Sequence, residues 1–324
     1  MTKRVLAGIR ATGTLHLGNY LGAVKGMLEL QNDPDYQTLY MVADAHAVTT
    51  PYDIENLRKN RREVIVDYLA CGLDPAKSII FCQSDVPQHF ELAFYFSSVT
   101  TVGKMQHMPT FKEKVKQYPE NVTMALLNYP VLMAADILVY KASLVPVGLD
   151  QEPHIEVTRE VARRMNQDYG TDFPEPKSFS TEGKYVPSLT GEGKMSKSVA
   201  GSFINLTDNL ETIRQKIRAV PTASQVGGEM SAGLKALFAF VDLFLPAQKE
   251  TFLQQYADGS LRYVDLKEAL TQAVFEQLQP IQQRREELLR DPQYIDRVMV
   301  EGATKARAIA QETVNDVRQK MGLL

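Results

Sequence analysis

The chain contains very little cysteine and no long apolar run, and both absences limit what it can be. Its two cysteines, Cys71 and Cys82, have neither the spacing of a metal site nor the number needed for a disulfide framework. Both lie in apolar runs, so we expect buried thiols of the kind found in a reducing compartment. No stretch approaches the ~18 apolar residues that span a bilayer, and the apolar run near the N-terminus is too short for a signal peptide. We therefore predict a cytoplasmic protein that does not contact a membrane.

An excess of positive charge is also absent. The formal net charge is −3, so no global basic field attracts nucleic acid, and any such contact must come from a local patch. The chain has no Gly-x-x-x-x-Gly-Lys-Ser/Thr segment, no defensible Ser/His/Asp set and no paired-carboxylate pattern. These absences exclude a P-loop enzyme and give no support to a serine hydrolase or a glycosidase.

What is present in the first part of the chain is an alternation of short apolar runs with helical patterns. We predict strands at residues 5–9, 39–43, 78–82 and 144–147, and helices at 16–28, 54–73, 91–102, 124–140 and 152–165. Strands that alternate with helices and end in polar or glycine residues indicate an α/β fold with a doubly wound parallel sheet, Rossmann-like in type.

From about residue 205 the patterns are helical only. Asp208 and Glu211 are spaced as a capping pair, and further helices are predicted at 234–245, 261–281 and 294–321. The length of 324 residues suffices for one large domain and a smaller one. We predict a Rossmann-like domain at 1–204 and a smaller all-helical domain at 205–324, whose last helix is long enough to pack back on the first domain.

Two segments have the composition of phosphate sites. Lys194 and Lys197 lie three residues apart beside serines, in a loop that glycines open, and such mobile ammonium groups suit phosphate. The turn at 13–19 lies between the first strand and its helix, where backbone N–H groups and the helix dipole favour an anion, with His16 in the first helical turn. Either segment alone is weak evidence, since most Lys/Ser loops are solvated. The ordered pair predicts a nucleoside triphosphate site for a reaction that needs no protein nucleophile.

Acidic residues at two positions allow a structural and a functional interpretation. Asp136 lies within an otherwise apolar helical run, where an acid is costly to bury without hydrogen bonds. One interpretation is structural: Asp136 is an internal helix cap or part of a hydrogen-bond network. The other, which we favour, is that it accepts a hydrogen bond from a ligand. Asp44 follows the second strand, and the sequence supports a ligand contact and a helix cap equally.

Several segments resemble the class I aminoacyl-tRNA synthetases, in particular their bacterial tryptophanyl members. The similar segments are Gly13 to Ala23, Tyr129 to Leu138, Val145 to Gln151 with residues 154–159 behind it, and Lys194 to Ser198. The likeness covers essentially the whole chain. It implies ATP-dependent activation of L-tryptophan to tryptophanyl-adenylate, transfer to tRNA(Trp), Mg²⁺ bound with ATP, a homodimer, and a helical domain on the anticodon side.

The resemblance also assigns roles, residue by residue. The residues implied in catalysis are His16, Lys114, Lys194, Ser196 and Lys197. Those implied in ATP binding are Arg10, Ala11, Thr12, Gly18, Asn19, Gly148, Leu149, Asp150, Val186, Lys194, Met195, Ser196, Lys197 and Ser198. Those implied in tryptophan binding are Asp136 as the indole acceptor, Met133, Val145 and Val147 as apolar walls, and Tyr129, His46 and Gln151 around the amino acid. A buried acceptor would reject phenylalanine, because the acid would be left unpaired.

Two positions depart from the family pattern. Arg10-Ala11-Thr12 stands where the family usually has Gln-Pro-Ser or a similar run, and Val199 stands where an aspartate usually follows the lysine loop. The arginine adds positive charge close to the expected position of the substrate carboxylate or α-phosphate. Three alternatives stay open at this point: a tyrosyl enzyme, a non-catalytic paralogue that binds a partner, and a nucleotidyltransferase of similar fold.

Overall fold

The computed structural model describes residues 3–179, 186–191, 193–197, 199, 201–222 and 229–324, with Leu149 described by its backbone only. The chain divides into two compact units. The first comprises Met1–Gly13, Met27–Thr181 and Asp291–Leu324, and the second comprises Thr14–Gly26 and Glu182–Arg290. These bounds do not coincide with the predicted domains 1–204 and 205–324. Compact units follow contacts in space, and the chain enters and leaves the second unit twice.

The first unit is built on a five-stranded parallel sheet. Its strands are β1 (Lys3–Arg10), β2 (Tyr36–Ala43), β3 (Ser78–Cys82), β4 (Leu144–Pro146) and β5 (Lys177–Phe179), in the spatial order β3-β2-β1-β4-β5. The predicted α/β fold with a doubly wound parallel sheet is confirmed. Strand order reverses at β1, and open α/β sheets bind ligands at such a switch point. The sequence did not reveal β5, because its three residues are exposed and carry no apolar run.

Helices account for most of the remaining chain. They are α1 (Leu17–Asn19), α2 (Lys25–Gln31), α3 (Ile54–Ala70), α4 (Gln88–Ser97), α5 (Val102–His107), α6 (Pro109–Gln117), α7 (Met124–Leu138), α8 (Glu152–Tyr169), α9 (Leu210–Arg218), α10 (Ala232–Phe244), α11 (Lys249–Asp258), α12 (Tyr263–Arg290) and α13 (Pro292–Lys320). A π-helical turn, Tyr20–Val24, joins α1 to α2. None of the helices in the described part of the chain is both long and apolar enough to cross a bilayer.

Two local predictions were wrong for identifiable reasons. The helix predicted at 91–102 ends at Ser97, and Val102 already begins α5, because the hydroxyls of Ser98 and Thr100 bond to preceding carbonyl oxygens where α4 ends. The cap of α9 is Asn209, whose Oδ1 accepts from Thr212 N at 2.9 Å. Asp208 instead accepts from Asn205 N at 2.9 Å and pairs with Lys216 Nζ at 2.5 Å, so its carboxylate has other partners.

The last helix, α13, packs on the sheet of the first unit. At Gly302 an added Cβ would lie 1.7 Å from the carbonyl oxygen of Ile80 in β3, so only glycine permits this approach. Arg62 on α3 contacts Asp296 and donates to Pro292 O at 2.7 Å, which fixes the start of α13. Buried side chains of the sheet, α4, α7, α8 and α13 form one apolar core. This core supports the strand ends where the cavity described below lies.

The second unit is helical in its described part, apart from short backbone pairings. Leu17 N donates to Ile204 O at 2.8 Å and Leu206 N donates to Leu15 O at 2.9 Å, so these segments lie side by side. Helices α9 and α12 are joined by Arg214, whose Nη2 lies 3.0 Å from Glu268 Oε1. The pairing at residues 15–17 positions His16 at the start of α1.

Candidate functional site

A cavity of about 380 Å³ lies in the first unit, lined by residues of β1, β2 and β4 and of the segments that follow them. Its volume is in the range of small-molecule sites. All seven residues that the resemblance implies in tryptophan binding line it, together with Arg10 and Lys114: His46, Tyr129, Met133, Asp136, Val145, Val147 and Gln151. The sheet and α7 thus bring together residues that are up to 105 positions apart in the chain, from His46 to Gln151.

Asp136, on α7, is the most enclosed charged group of this cavity, with only 2% of its surface exposed. Its Oδ1 accepts from Gln83 Nε2 at 2.7 Å and from His89 Nδ1 at 2.6 Å, and its Oδ2 accepts from His46 Nε2 at 2.7 Å. Burial alone would raise the pKa of Asp136. The hydrogen bonds and electrostatic interaction with His46 and His89 outweigh burial and hold that pKa below its usual value.

These three bonds leave Asp136 with acceptor capacity. An ionised carboxylate offers about four acceptor positions, so one remains on Oδ2 for a ligand. Because the carboxylate only accepts, both histidine rings must donate to it. His89 therefore carries its proton on Nδ1, and its Nε2 accepts from the hydroxyl of Tyr140 at 2.7 Å. The structural network and the ligand acceptor, two interpretations of Asp136 that the sequence left open, are compatible.

A second chain of hydrogen bonds runs along another wall of the cavity. Asp150 Oδ2 accepts from Gln151 Nε2 at 2.6 Å, so Gln151 Oε1 must accept from His154 Nδ1, 3.0 Å away. Burial lowers the pKa of His154, which keeps its ring neutral. Its Nε2 then accepts from the hydroxyl of Tyr129 at 2.7 Å, and the hydroxyl of Thr110 lies 2.9 Å from the same nitrogen. The phenol oxygen of Tyr129 keeps its lone pairs for a ligand cation.

Sequence reasoning missed Gln83, His89, Tyr140 and His154 as members of these networks. Gln83 directly follows β3, so the rule that drew attention to the ends of the other strands would have found it. His89 and Tyr140 lie in apolar helical surroundings and carry no sequence signal. Asp44 proves to be a structural residue: it accepts from Ala45 N at 3.0 Å and Ser84 N at 2.9 Å, and it pairs with Arg61 Nε at 2.6 Å.

In the second unit, His16 caps α1. Its Nδ1 accepts from Asn19 N at 3.3 Å, while Asn19 Oδ1 accepts from His16 N at 3.1 Å. Burial, followed by the positive charges of Lys197 and Lys194, lowers the pKa of His16 to about 4. The ring is therefore neutral at pH 7, and its proton is on Nε2, because Nδ1 is an acceptor. His16 offers one N–H donor beside two lysines.

Close packing joins the two predicted phosphate segments within the second unit. A Cβ added at Gly18 would lie 2.9 Å from His16 Cε1 and 3.3 Å from Met195 Cβ, so glycine allows the loop to contact α1. Met195 is 2% exposed, and its N–H donates to Val186 O at 3.0 Å. Its buried side chain anchors the loop, while Lys194 on its flank is exposed.

The other residues implied in ATP binding are spread over both units. Ala11, Thr12, Gly148 and Asp150 belong to the first unit and lie near the strand ends, where Gln151 N donates to Gly148 O at 2.9 Å. Ser198 lies outside the described residues, and the side chain of Leu149 is not described. Among the residues that the structure describes, no group of three or more His, Cys, Asp and Glu side chains is arranged to hold a metal ion.

Known proteins of one family are similar to this chain. The model of the family described as "tRNA synthetases class I (W and Y)" matches residues 2–279. Tryptophan–tRNA ligases are 42% identical in Deinococcus radiodurans (99% of this chain, 99% of the relative) and 39% identical in Treponema pallidum (99% and 97%). A crystal structure of the tryptophanyl-tRNA synthetase of Campylobacter jejuni, complexed with ADP and tryptophan, superposes with a TM-score of 0.87 at 33% identity, covering 99% of this chain and 100% of that one.

Proposed function

The chain belongs to the class I tRNA synthetases for tryptophan and tyrosine, and we propose that it is a tryptophan–tRNA ligase. In the first step, a carboxylate oxygen of L-tryptophan attacks the α-phosphorus of ATP. The bond to the β-phosphate oxygen breaks, and pyrophosphate leaves. In the second step, the 3′-terminal adenosine of tRNA(Trp) takes the tryptophanyl group, and AMP is released.

The observation that carries the choice of tryptophan is the acceptor left on Asp136 inside an apolar slot. Met133, Val145 and Val147 line the slot, and an indole offers one N–H donor for one acceptor. A phenol would also need a donor for its oxygen. The ring N–H groups of His46 and His89 that face Asp136 are already donated to it. Tyrosine, the other substrate of the family, therefore fits this slot less well.

The networks around the slot account for the amino group of the substrate. The hydroxyl of Tyr129 donates to His154, so its oxygen is available to accept from an α-ammonium group. Gln151 Oε1 accepts from His154 and has a second lone pair for the same purpose. Because these acceptors are fixed in direction before the substrate arrives, little ordering is needed on binding.

The lysine loop of the second unit is proposed to bind the triphosphate. Charge moves onto the pyrophosphate as it leaves, and Lys194 and Lys197 would stabilise it, while neutral His16 would donate from Nε2 to a phosphate oxygen. The ammonium and hydroxyl groups of this loop suit the outer oxygens of a triphosphate, and Mg²⁺ would be bound through the phosphates of ATP. Phosphoryl chemistry of this kind depends on positioning and charge, so it requires no protein nucleophile.

Family membership supports three further proposals. The chain would act as a homodimer in the cytoplasm. Residues 1–204 would carry the catalytic site, and residues 205–324 would face the anticodon side of tRNA(Trp). Lys114 would contribute an additional phosphate contact, because it lines the cavity and its ammonium reaches Gln117 Oε1 at 2.7 Å, a partner it can exchange for phosphate.

Exchange of radiolabelled pyrophosphate into ATP, run separately with each amino acid, tests the function. We expect exchange with tryptophan only. Exchange with tyrosine would mean that the slot has been misinterpreted, although the family would stand. If no amino acid supported exchange while tRNA still bound, a non-catalytic binding role would replace the proposed reaction.

A further inference from the structure

Arg10 takes no part in the proposed reaction steps. It ends β1 and lines the cavity of the first unit. Its Nη2 donates to the carbonyl oxygen of His46 at 2.9 Å and to Thr50 Oγ1 at 3.3 Å. Its Nε–H is buried and has no acceptor among the described residues. A guanidinium held in one orientation, with a buried donor left over, is incomplete without an anion or another acceptor.

The other charged groups of the cavity do not supply that acceptor. Asp136 is bonded to Gln83 and two histidines, and Glu113 is exposed on α6. The second cation of the cavity, Lys114, donates to Gln117 and lies on a more flexible side chain. Burial lowers the pKa of Arg10 from its ordinary value, and the phenols of Tyr129 and Tyr118 partly oppose that shift by raising it. An arginine nevertheless stays charged, so the missing partner is expected to be negative.

We propose that Arg10 binds the α-carboxylate of the amino-acid substrate through its unpaired Nε–H. The proposal rests on the function proposed above, because it takes the occupant of the cavity to be an amino acid. His46 supports the geometry: its ring donates to Asp136, and its carbonyl oxygen accepts from Arg10. His46 therefore spans the interval between Asp136, the proposed indole acceptor, and the guanidinium of Arg10. The substrate, itself an amino acid with a ring at one end and a carboxylate at the other, can span the same interval.

This contact would orient the nucleophile of the first step. A charge-assisted hydrogen bond from one N–H holds one carboxylate oxygen, which leaves the other oxygen to attack the α-phosphorus. Glutamine at this position could also donate a hydrogen bond, but without a positive charge.

The test compares L-tryptophan with tryptamine, which is the same molecule without the carboxylate, by equilibrium binding. We expect the Arg10→Met variant to bind tryptophan at least ~10-fold more weakly while its affinity for tryptamine changes less than ~2-fold. Arg10→Lys and Arg10→Gln should recover part of the tryptophan affinity, and they remain informative if the methionine variant does not fold. The matched control is Arg58→Met, on α3, where the arginine side chain is 75% exposed.

Two other results would overturn the proposal. Equal losses for tryptophan and tryptamine would mean that Arg10 only supports His46. A loss of ATP affinity with unchanged tryptophan affinity would assign Arg10 to a phosphate. If the wild type selected another amino acid, the choice of tryptophan would be wrong. The same comparison would then use that amino acid and its decarboxylated amine, and it would decide the role of Arg10 separately.

Discussion

The cavity of the first unit and the lysine loop differ in how their polar groups are held. In the cavity the polar side chains bond to one another in fixed directions, and His89, below Asp136, has no exposed surface. In the loop the buried anchor is Met195, while Lys194 is exposed and glycines with φ of 88° and 71° at residues 191 and 193 shape the backbone. A rigid site suits selection of one side chain, and long mobile cations suit charge that develops during reaction. Under the proposed function, the cavity would therefore serve recognition of the substrate and the loop would serve the chemical step.

The largest effect is expected when a cation is removed from the loop. Lys197→Ala should lower the rate of adenylate formation at least ~100-fold and leave tryptophan affinity unchanged, because the lost charge acts on the leaving pyrophosphate. Single-turnover kinetics and equilibrium binding measure the two quantities. Lys235→Ala, which removes an exposed lysine of the same unit, is the control. A large loss of tryptophan affinity would break the division between the two regions.

The next largest effect is expected when the acceptor in the cavity, Asp136, is changed. Asp136→Asn keeps the shape but replaces one acceptor oxygen by a donor, which opposes the N–H groups of His46 and the substrate. We expect tryptophan affinity to fall about 10- to 100-fold and preference over phenylalanine to shrink, while ATP affinity is retained. Competition binding with both amino acids measures this. Unchanged discrimination would remove Asp136 from the indole contact.

A smaller effect is expected at Tyr140, which would act on the substrate through His89 and Asp136. Tyr140→Phe deletes the hydroxyl that donates to His89 Nε2, so the ring is less firmly oriented below Asp136. The KM for tryptophan should rise about 3-fold with kcat nearly unchanged, because a bond of this type contributes roughly 1 kcal/mol. The control Tyr95→Phe removes a hydroxyl that bonds Glu91 on α4, away from the cavity lining. A fall in kcat alone would show that the network acts on the chemical step instead.

The smallest effect at neutral pH concerns His16. Its pKa of about 4 in the folded chain lies below the ordinary value of 6.5, so the unfolded state binds more protons between these values. The stability contributed by neutral His16 is present above pH 6.5 and decreases as the pH falls toward 4. Urea unfolding of wild type and His16→Gln at several pH values across this window measures it. The free energy of unfolding of the variant should change less steeply with pH. Equal slopes would mean that His16 does not titrate as stated.

The extent to which the site followed from the sequence also differs between the two regions. The alternation of apolar runs predicted β1 to β4, and short motifs drew attention to His16, Asp136 and Lys194. All seven residues proposed around tryptophan do line one cavity. Their roles stay proposals until the variants are measured. The hydrogen-bond partners of Asp136 were not predicted, since no local pattern marks a buried histidine on a neighbouring helix.

The sequence alone determined the class of fold, the family and the residue types offered to the chemistry, because periodicity, motif spacing and strand-end polarity are local properties. The tertiary structure decided what those residues can do. Gln83, His89 and His46 reach Asp136 from 53, 47 and 90 positions away, and together they keep it ionised with one acceptor to spare. It also left the buried Nε–H of Arg10 without an acceptor among the residues that the structure describes. Such outcomes depend on which side chains share a low-dielectric space, and only the packing of sheet and helices determines that.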